Sequence, residues 1–269
     1  MQDVVHEHDE DGLVEVVTLE GNIAVGKSTV IGSLRGFGAY VVPEPVKDWD
    51  DLLHLFYEDP HVYSFPLQAR ILACVTRDRR QHVVAAKNKG YLRLFMERSP
   101  LGAKVFTKAG LEAGHMSAED FALYNRLEVL CKDEPVEHRL RKLGEVLGDR
   151  LSSDAPHDAK TLAMLRELCV NDDVDIRVKV VHVLLQAPVA TCVTRCKRRD
   201  RPDERDGPLT GSDQKLTTYL THLHRLQSEV FPVDAMLCVD ATKNPANTAR
   251  GILRALCGFP PVSELVAVK

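Results

Sequence analysis

Residues 21–28, Gly-Asn-Ile-Ala-Val-Gly-Lys-Ser, fit the pattern GxxxxGK[ST]. This pattern constrains the fold more than any other feature, because it needs one setting: a strand must run into the loop and a helix must leave it. Both are readable. Residues 14–20 form a short valine-rich run of the kind buried in parallel sheets. Residues 28–36 read as a helix. Gly21 and Gly26 permit backbone angles that aim successive N–H groups at phosphates. The helix N-terminus adds partial positive charge. Lys27 can reach β- and γ-phosphates, and the Ser28 hydroxyl can ligate Mg²⁺. Gly21, Asn22, Ile23, Ala24, Val25, Gly26, Lys27, Ser28 and Thr29 are therefore the expected ATP-binding segment. The pattern points to a nucleoside triphosphate and leaves the reaction open.

Around this loop, apolar runs and helical spacings alternate. Further strands are predicted over 39–43, 91–96, 179–185 and 235–239. Helical spacing occurs over 48–57, 65–87, 118–131, 136–148, 157–169, 212–231 and 245–256. Ser117 with Asp120 resembles a capping box, and Pro188 suits a helix start. Strands alternating with helices imply right-handed parallel crossovers. The expected fold class is α/β, a P-loop NTPase-type doubly wound parallel sheet of about five strands with flanking helices. No repeat or linker divides the chain, so residues 13–269 are expected to form one domain. Residues 137–176 are polar and interrupted, and read as a surface insertion.

Composition narrows the classes. The chain has 269 residues, is 44% hydrophobic and carries a net charge of −4, which suits a well-buried core and disfavours a general nucleic-acid binder. Its 7 cysteines are scattered with no CxxC pair, as expected of reduced thiols in a reducing, cytoplasmic compartment. No apolar run approaches a membrane span. Residues 1–12 are rich in Asp, Glu and His and lack the marks of a signal or transit peptide, so a disordered tail is expected. Neither nucleic acid nor membrane is an expected partner.

A second group of residues follows strands two and three. Pro43-Glu44-Pro45 and Trp49 come first, then Tyr57, Asp59, Pro60, Phe65 and Gln68, then Glu97-Arg98-Ser99. A basic segment, 195–205, follows strand four. By spacing alone Glu44 is equally a catalytic carboxylate or an exposed glutamate before a proline turn. Trp49 and Tyr57 could be plain core aromatics, and the basic run a solvated face.

The ordered series LEGNIAVGKST, VVPEPVKDW, LFYEDPHVYSFPLQ, FMERS, RRDRPDERDGPL and YLTHLH resembles the deoxynucleoside kinase family across roughly residues 14–240. The resemblance implies phosphorylation of the 5′-hydroxyl of a deoxyribonucleoside by ATP, with Mg²⁺. It implies that Glu44 is the general base, and that Arg98 and Lys27 complete the catalytic set. It implies Ser28 and Glu97 as the metal contacts. Residues 195–208 are similar to the family's arginine-rich lid, with Arg195, Arg199 and Arg201 on the triphosphate. Gln68 would read the base, Trp49 would pack beside it, and Tyr57 with Glu204 would hold the 3′-hydroxyl. Leu53, Phe56, Leu67, Ile71, Val75 and Ala103 would form the apolar lining. Val75 and Ala103 stand where purine-accepting relatives carry an Arg–Asp pair, so pyrimidines are expected first. The resemblance also implies a homodimer. The chain departs from the pattern at Pro100, Leu101 and Thr107, and Phe106 precedes the position where an aromatic is common.

Two other readings compete. A thymidylate-like monophosphate kinase would need a phosphate clamp, for which only Arg98, Arg70 or Arg77 are available, and Glu44 would repel that phosphate. A non-catalytic P-loop protein would bind ATP without turnover, against which Glu44, Arg98, Lys27 and Ser28 argue.

Overall fold

The computed structural model describes residues 13–130, 143, 156–170, 176–200, 208–231 and 236–257. Five strands, β1 (Val14–Gly21), β2 (Tyr40–Val42), β3 (Arg93–Glu97), β4 (Val178–Gln186) and β5 (Met236–Asp240), form one sheet in the order β2-β3-β1-β4-β5. Every pairing is parallel, with Val16 opposite Leu94 and Val180, and Leu184 opposite Cys238. Central β1 is buried along nearly its whole length because both of its faces are covered.

The helices among the described residues are α1 (Lys27–Gly36), α2 (Asp50–Glu58), α3 (Pro60–Asn88), α4 (Pro100–Glu112), α5 (Ala118–Leu130), α6 (Pro156–Val170), α7 (Val189–Arg199), α8 (Asp213–Val230) and α9 (Pro245–Leu256). The two faces of β1 feed different clusters, as the period of two requires. Val17 and Leu19 pack with Val30, Ile31 and Leu34 of α1, Leu220 of α8 and Ile252 of α9. Val14 and Val16 pack with Val83 and Ala86 of α3. A third cluster lies beyond the sheet, where α2, α3, α5 and α6 meet around Trp49, Leu72, Tyr124 and Leu165. No helix among the described residues is long and apolar enough to cross a membrane.

Three expectations change. Helix α3 begins at Pro60, five residues before the predicted start. The Asp59 carboxylate accepts from the N–H groups of His61 and Val62 at 3.1 and 3.3 Å, and Pro60 occupies the first turn, where its missing N–H costs nothing. Pro66 sits inside this helix rather than breaking it. Helix α4 had no sequence assignment; Ser99 caps it by accepting from Gly102 N–H at 3.1 Å, and Pro100 opens it. The stretch read as a surface insertion includes α6, whose Leu162, Met164 and Leu165 are buried against the α3 cluster. The helix predicted over 136–148, apart from buried Leu143, and the tail 1–12 lie outside the described residues.

Candidate active site

The carboxyl ends of β1, β2 and β3 and the N-terminus of α1 open onto a cleft of about 830 Å³. This is where ligand sites form in open parallel sheets. Its floor is the glycine loop. Gly21 (φ 137°), Ala24 (φ 57°) and Gly26 (φ 117°) are left-handed. At Gly21 a Cβ would sit 2.6 Å from the Leu185 carbonyl oxygen, so the close approach of β4 also requires glycine there.

Asn22 is buried and organises the loop from beneath. Its amide donates to Leu220 O at 2.8 Å, and its oxygen accepts from Ile23 N–H at 2.9 Å. Gly21 and Asn22 therefore support the loop, while residues 23–29 line the cleft. The buried Lys27 ammonium donates to the carbonyls of Gly21 and Asn22 at 3.1 and 3.0 Å. Burial, then the nearby Arg98 charge, lowers its pKa. Arg195 donates to Val25 O at 2.5 Å and Ala241 O at 2.9 Å, clamping the loop to the end of β5.

On the other side, Glu44 follows β2 and Arg98 follows β3. Their side chains meet, Arg98 Nε donating to Glu44 Oε1 at 2.5 Å, with both mostly buried. Arg98 has φ 74°, rare for a residue with a side chain, and its N–H donates to Leu19 O at 3.1 Å. Its guanidinium lies 4.5 Å from the ring centre of Phe106 on α4. Burial pulls the Arg98 pKa down, but the charge and hydrogen bond of Glu44 and the charges of Glu20 and Glu97 outweigh it and the net shift is upward. Beside the pair, Ser28 Oγ donates to Glu97 Oε1 at 2.7 Å. A hydroxyl and a carboxylate side by side are hard oxygen donors that fit a largely water-ligated divalent cation.

The far wall is apolar. Trp49, Leu53, Phe56, Tyr57, Leu67 and Ile71 line it with Gln68, whose Oε1 is buried without a hydrogen-bond partner. Arg199 also lines the cleft, whereas Arg201 and Glu204 lie outside the described residues. Val75 and Ala103 are not part of the wall. Val75, one turn beyond Ile71 on α3, faces a smaller cavity of about 300 Å³ with Arg79, Met96 and Ser99. Ala103 is fully buried in the helix cluster, with no side chain long enough to emerge. Arg70 and Arg77 do not line the cleft either. Phe106, Tyr219, Arg198 and Lys243 do; of these only Arg198 falls in a segment, 195–208, for which a site role was expected. An aromatic one residue before Thr107 was the only signal for Phe106.

Residues 17–138 match the family model described as deoxynucleoside kinase. The chain resembles the deoxynucleoside kinases. It is 34% identical over 112 residues to a Fowlpox virus (strain NVSL) protein named as a probable deoxycytidine kinase, covering 40% of this chain and 46% of that one. It is 27% identical over 262 residues to the thymidine kinase of Ictalurid herpesvirus 1 (strain Auburn), covering 93% of this chain and 89% of that one. Deoxycytidine kinase of Homo sapiens is 29% identical over 140 residues, 41% of this chain and 52% of its own. The deoxynucleoside kinase-like chain thus spans about half the length of the first and third of these relatives. Among solved structures, a deoxyadenosine kinase from M. mycoides with dCMP and dCDP bound superposes with TM-score 0.60 at 15% identity, covering 91% of this chain and all (100%) of that one. That likeness shows the shared fold.

Proposed function

We propose that this chain transfers the γ-phosphate of ATP to the 5′-hydroxyl of a deoxyribonucleoside, with pyrimidine nucleosides preferred. The observation that carries this reading is the Glu44–Arg98 pair, held at 2.5 Å in the same cleft as the Lys27 loop. In the reaction, the 5′-oxygen attacks the γ-phosphorus, the bond to ADP breaks, and Glu44 takes the hydroxyl proton. Arg98 holds the Glu44 carboxylate in place and offsets charge on the transferred group. Lys27 and the loop N–H groups carry the phosphates, with Arg199 and Arg201 from the 195–208 lid. Arg195 acts one step back, by fixing the loop carbonyl of Val25. Ser28 and Glu97 would hold Mg²⁺, which when bound supplies positive charge to the phosphate oxygens.

Gln68 supports a base-reading role, since an unpartnered buried amide oxygen seeks a donor and its NH₂ can answer an acceptor. Trp49 and the aliphatic wall take the faces of the base, while Tyr57 and Glu204 meet the 3′-hydroxyl. Pyrimidine preference rests on Gln68 in the cleft wall and on the likeness to proteins named for deoxycytidine and thymidine. The buried, fully tied Arg70 offers no clamp for a monophosphate. One domain over 13–269, a cytoplasmic setting and a homodimer complete the reading.

The test is ATP-dependent phosphorylation of thymidine, deoxycytidine, deoxyadenosine, deoxyguanosine, uridine and thymidine monophosphate. Turnover highest with the pyrimidine deoxynucleosides is expected. Turnover of the monophosphate alone would replace the reading by a monophosphate kinase. ATP binding with no turnover would replace it by a non-catalytic nucleotide-binding protein.

A further inference from the structure

The segment from Glu44 to Trp49 is a closed hydrogen-bonded turn. Val46 N–H donates to Glu44 O, Asp48 N–H to Pro45 O and Trp49 N–H to Val46 O, at 2.9, 2.9 and 3.1 Å. Whatever fixes Asp48 therefore fixes the carboxylate and the indole that bracket it. Asp48 ends a short 3₁₀ turn, Val46–Asp48, so its carbonyl has no helical N–H to accept.

Three cations converge on Asp48 instead, two of them on this carbonyl. Arg70 Nη1 donates to Asp48 O at 3.0 Å, and Lys160 Nζ, from α6, donates to the same oxygen at 3.0 Å. Arg77 Nη2 donates to the Asp48 carboxylate at 2.5 Å, while Arg77 Nε holds Asp78 at 2.9 Å. Arg70 is 0% exposed. Its Nε donates to Thr161 on α6 at 2.7 Å, and its charge lies 3.7 Å from Asp51. A fully buried guanidinium persists only where it is paired and hydrogen-bonded, and losing one partner leaves an uncompensated charge. Arg70 also lies two residues beyond Gln68 on α3. One arginine thus joins the helix that carries Gln68, the turn that carries Glu44 and Trp49, and helix α6.

We propose that Arg70 and Arg77 are positioning residues for the acceptor side of the cleft, acting through Asp48 to fix Glu44 and Trp49 relative to Gln68. This deepens the kinase reading and rests on it for its effect on turnover. Its geometric content can be tested without turnover, because Trp49 is the chain's sole tryptophan and is 2% exposed.

The experiment compares the parent chain with Arg77→Gln, Arg77→Lys and the milder Asp48→Asn, which keeps the backbone carbonyl and removes only the carboxylate charge. Trp49 emission, its quenching by acrylamide, the thermal transition, and kcat and KM for thymidine are read on each. In Asp48→Asn and Arg77→Gln, quenching of Trp49 is expected to rise about twofold or more and kcat to fall about tenfold, with ATP affinity within about twofold of the parent. Arg77→Lys is expected to recover only part of either change, because an ammonium cannot reproduce the fork that spans Asp48 and Asp78. A folded Asp48→Asn with parental quenching and parental kcat overturns the proposal. If Arg77→Gln does not fold, Asp48→Asn decides. If the parent turns over no nucleoside, the kinase reading fails, and the quenching comparison still decides whether Asp48 holds Trp49.

Discussion

Arg98 and Glu44 come from the ends of adjacent parallel strands and meet at 2.5 Å, Nε to Oε1, while the Arg98 backbone is held at φ 74°. The left-handed backbone turns the guanidinium back across the strand ends toward β2. An extended residue there would continue along β3 and leave Glu44 unpaired. On the proposed mechanism Glu44 accepts the hydroxyl proton. Glu44→Gln is expected to lower kcat by about 10² to 10⁴, the usual range for losing a general base, with ATP affinity unchanged. Steady-state kinetics with direct ATP-binding measurements check this; full turnover removes Glu44 from that role.

Ser28 and Glu97 share a 2.7 Å hydrogen bond beside the loop. Glu97→Gln keeps the shape but removes the negative charge, leaving one neutral carbonyl oxygen to face a cation. The Mg²⁺ concentration for half-maximal turnover is expected to rise about 10- to 100-fold, as for other losses of support around a metal. A Mg²⁺ titration at saturating ATP reads it, and an unmoved midpoint would assign the metal elsewhere.

Gly21 is locked by two independent constraints, φ 137° and the Leu185 carbonyl 2.6 Å from any added Cβ. Gly21→Ala must either move β4 or unwind the loop. A destabilisation of about 1 to 3 kcal/mol is expected from the strained backbone alone, together with loss of ATP binding. Thermal unfolding with and without ATP tests both; a variant as stable as the parent that still binds ATP contradicts the close approach.

Glu20, 2% exposed on β1 behind Arg98, has Oε1 without a hydrogen-bond partner. Burial raises its carboxyl from 4.5 to about 7 against the opposing pull of Ser99 and Arg98. The folded protein therefore keeps a proton between those values that the unfolded chain has lost. This contribution to stability is fully present below pH 4.5 and is lost as pH rises through 7. Its size is on the order of 3 kcal/mol. Burial lowers His82, His115 and His182, which slopes the other way, so the comparison must be between variants. Glu20→Gln is expected to lose less stability than the parent between pH 5 and pH 8 in urea unfolding. Equal losses would mean that Glu20 is ionised throughout.

The loop and its flanking strand and helix were legible because glycine spacing, valine content and helical period all point the same way. The sheet was legible for the same reason. Helix α4 was not, because Pro100 directly after Ser99 reads as an interruption; in the folded chain the pair forms a cap and first turn. Val75 lies on the right stripe of α3 but one turn too far along. Helical period places a residue on a face and does not set how far along the axis a cleft extends. Helical period sets Arg70 beside Leu67 and Cys74 at the edge of the apolar stripe, but its charge argues against burial. Its burial depends on the Asp48 carbonyl and the hydroxyl of Thr161, partners that only the tertiary arrangement brings near.

The strand order β2-β3-β1-β4-β5 has a consequence for how such a chain can change. Glu44 and Arg98 arise on the β2–β3 flank of the central strand; Arg195 and Ala241, which brace the loop, arise on the β4–β5 flank. On the proposed roles, the group that receives phosphate and the brace for the group that delivers it lie on opposite flanks of β1, which is the seam between them. The family match, residues 17–138, falls on the receiving territory and the seam. Selection for a new acceptor could therefore redraw one flank residue by residue while the other continues to hold the phosphate loop in register.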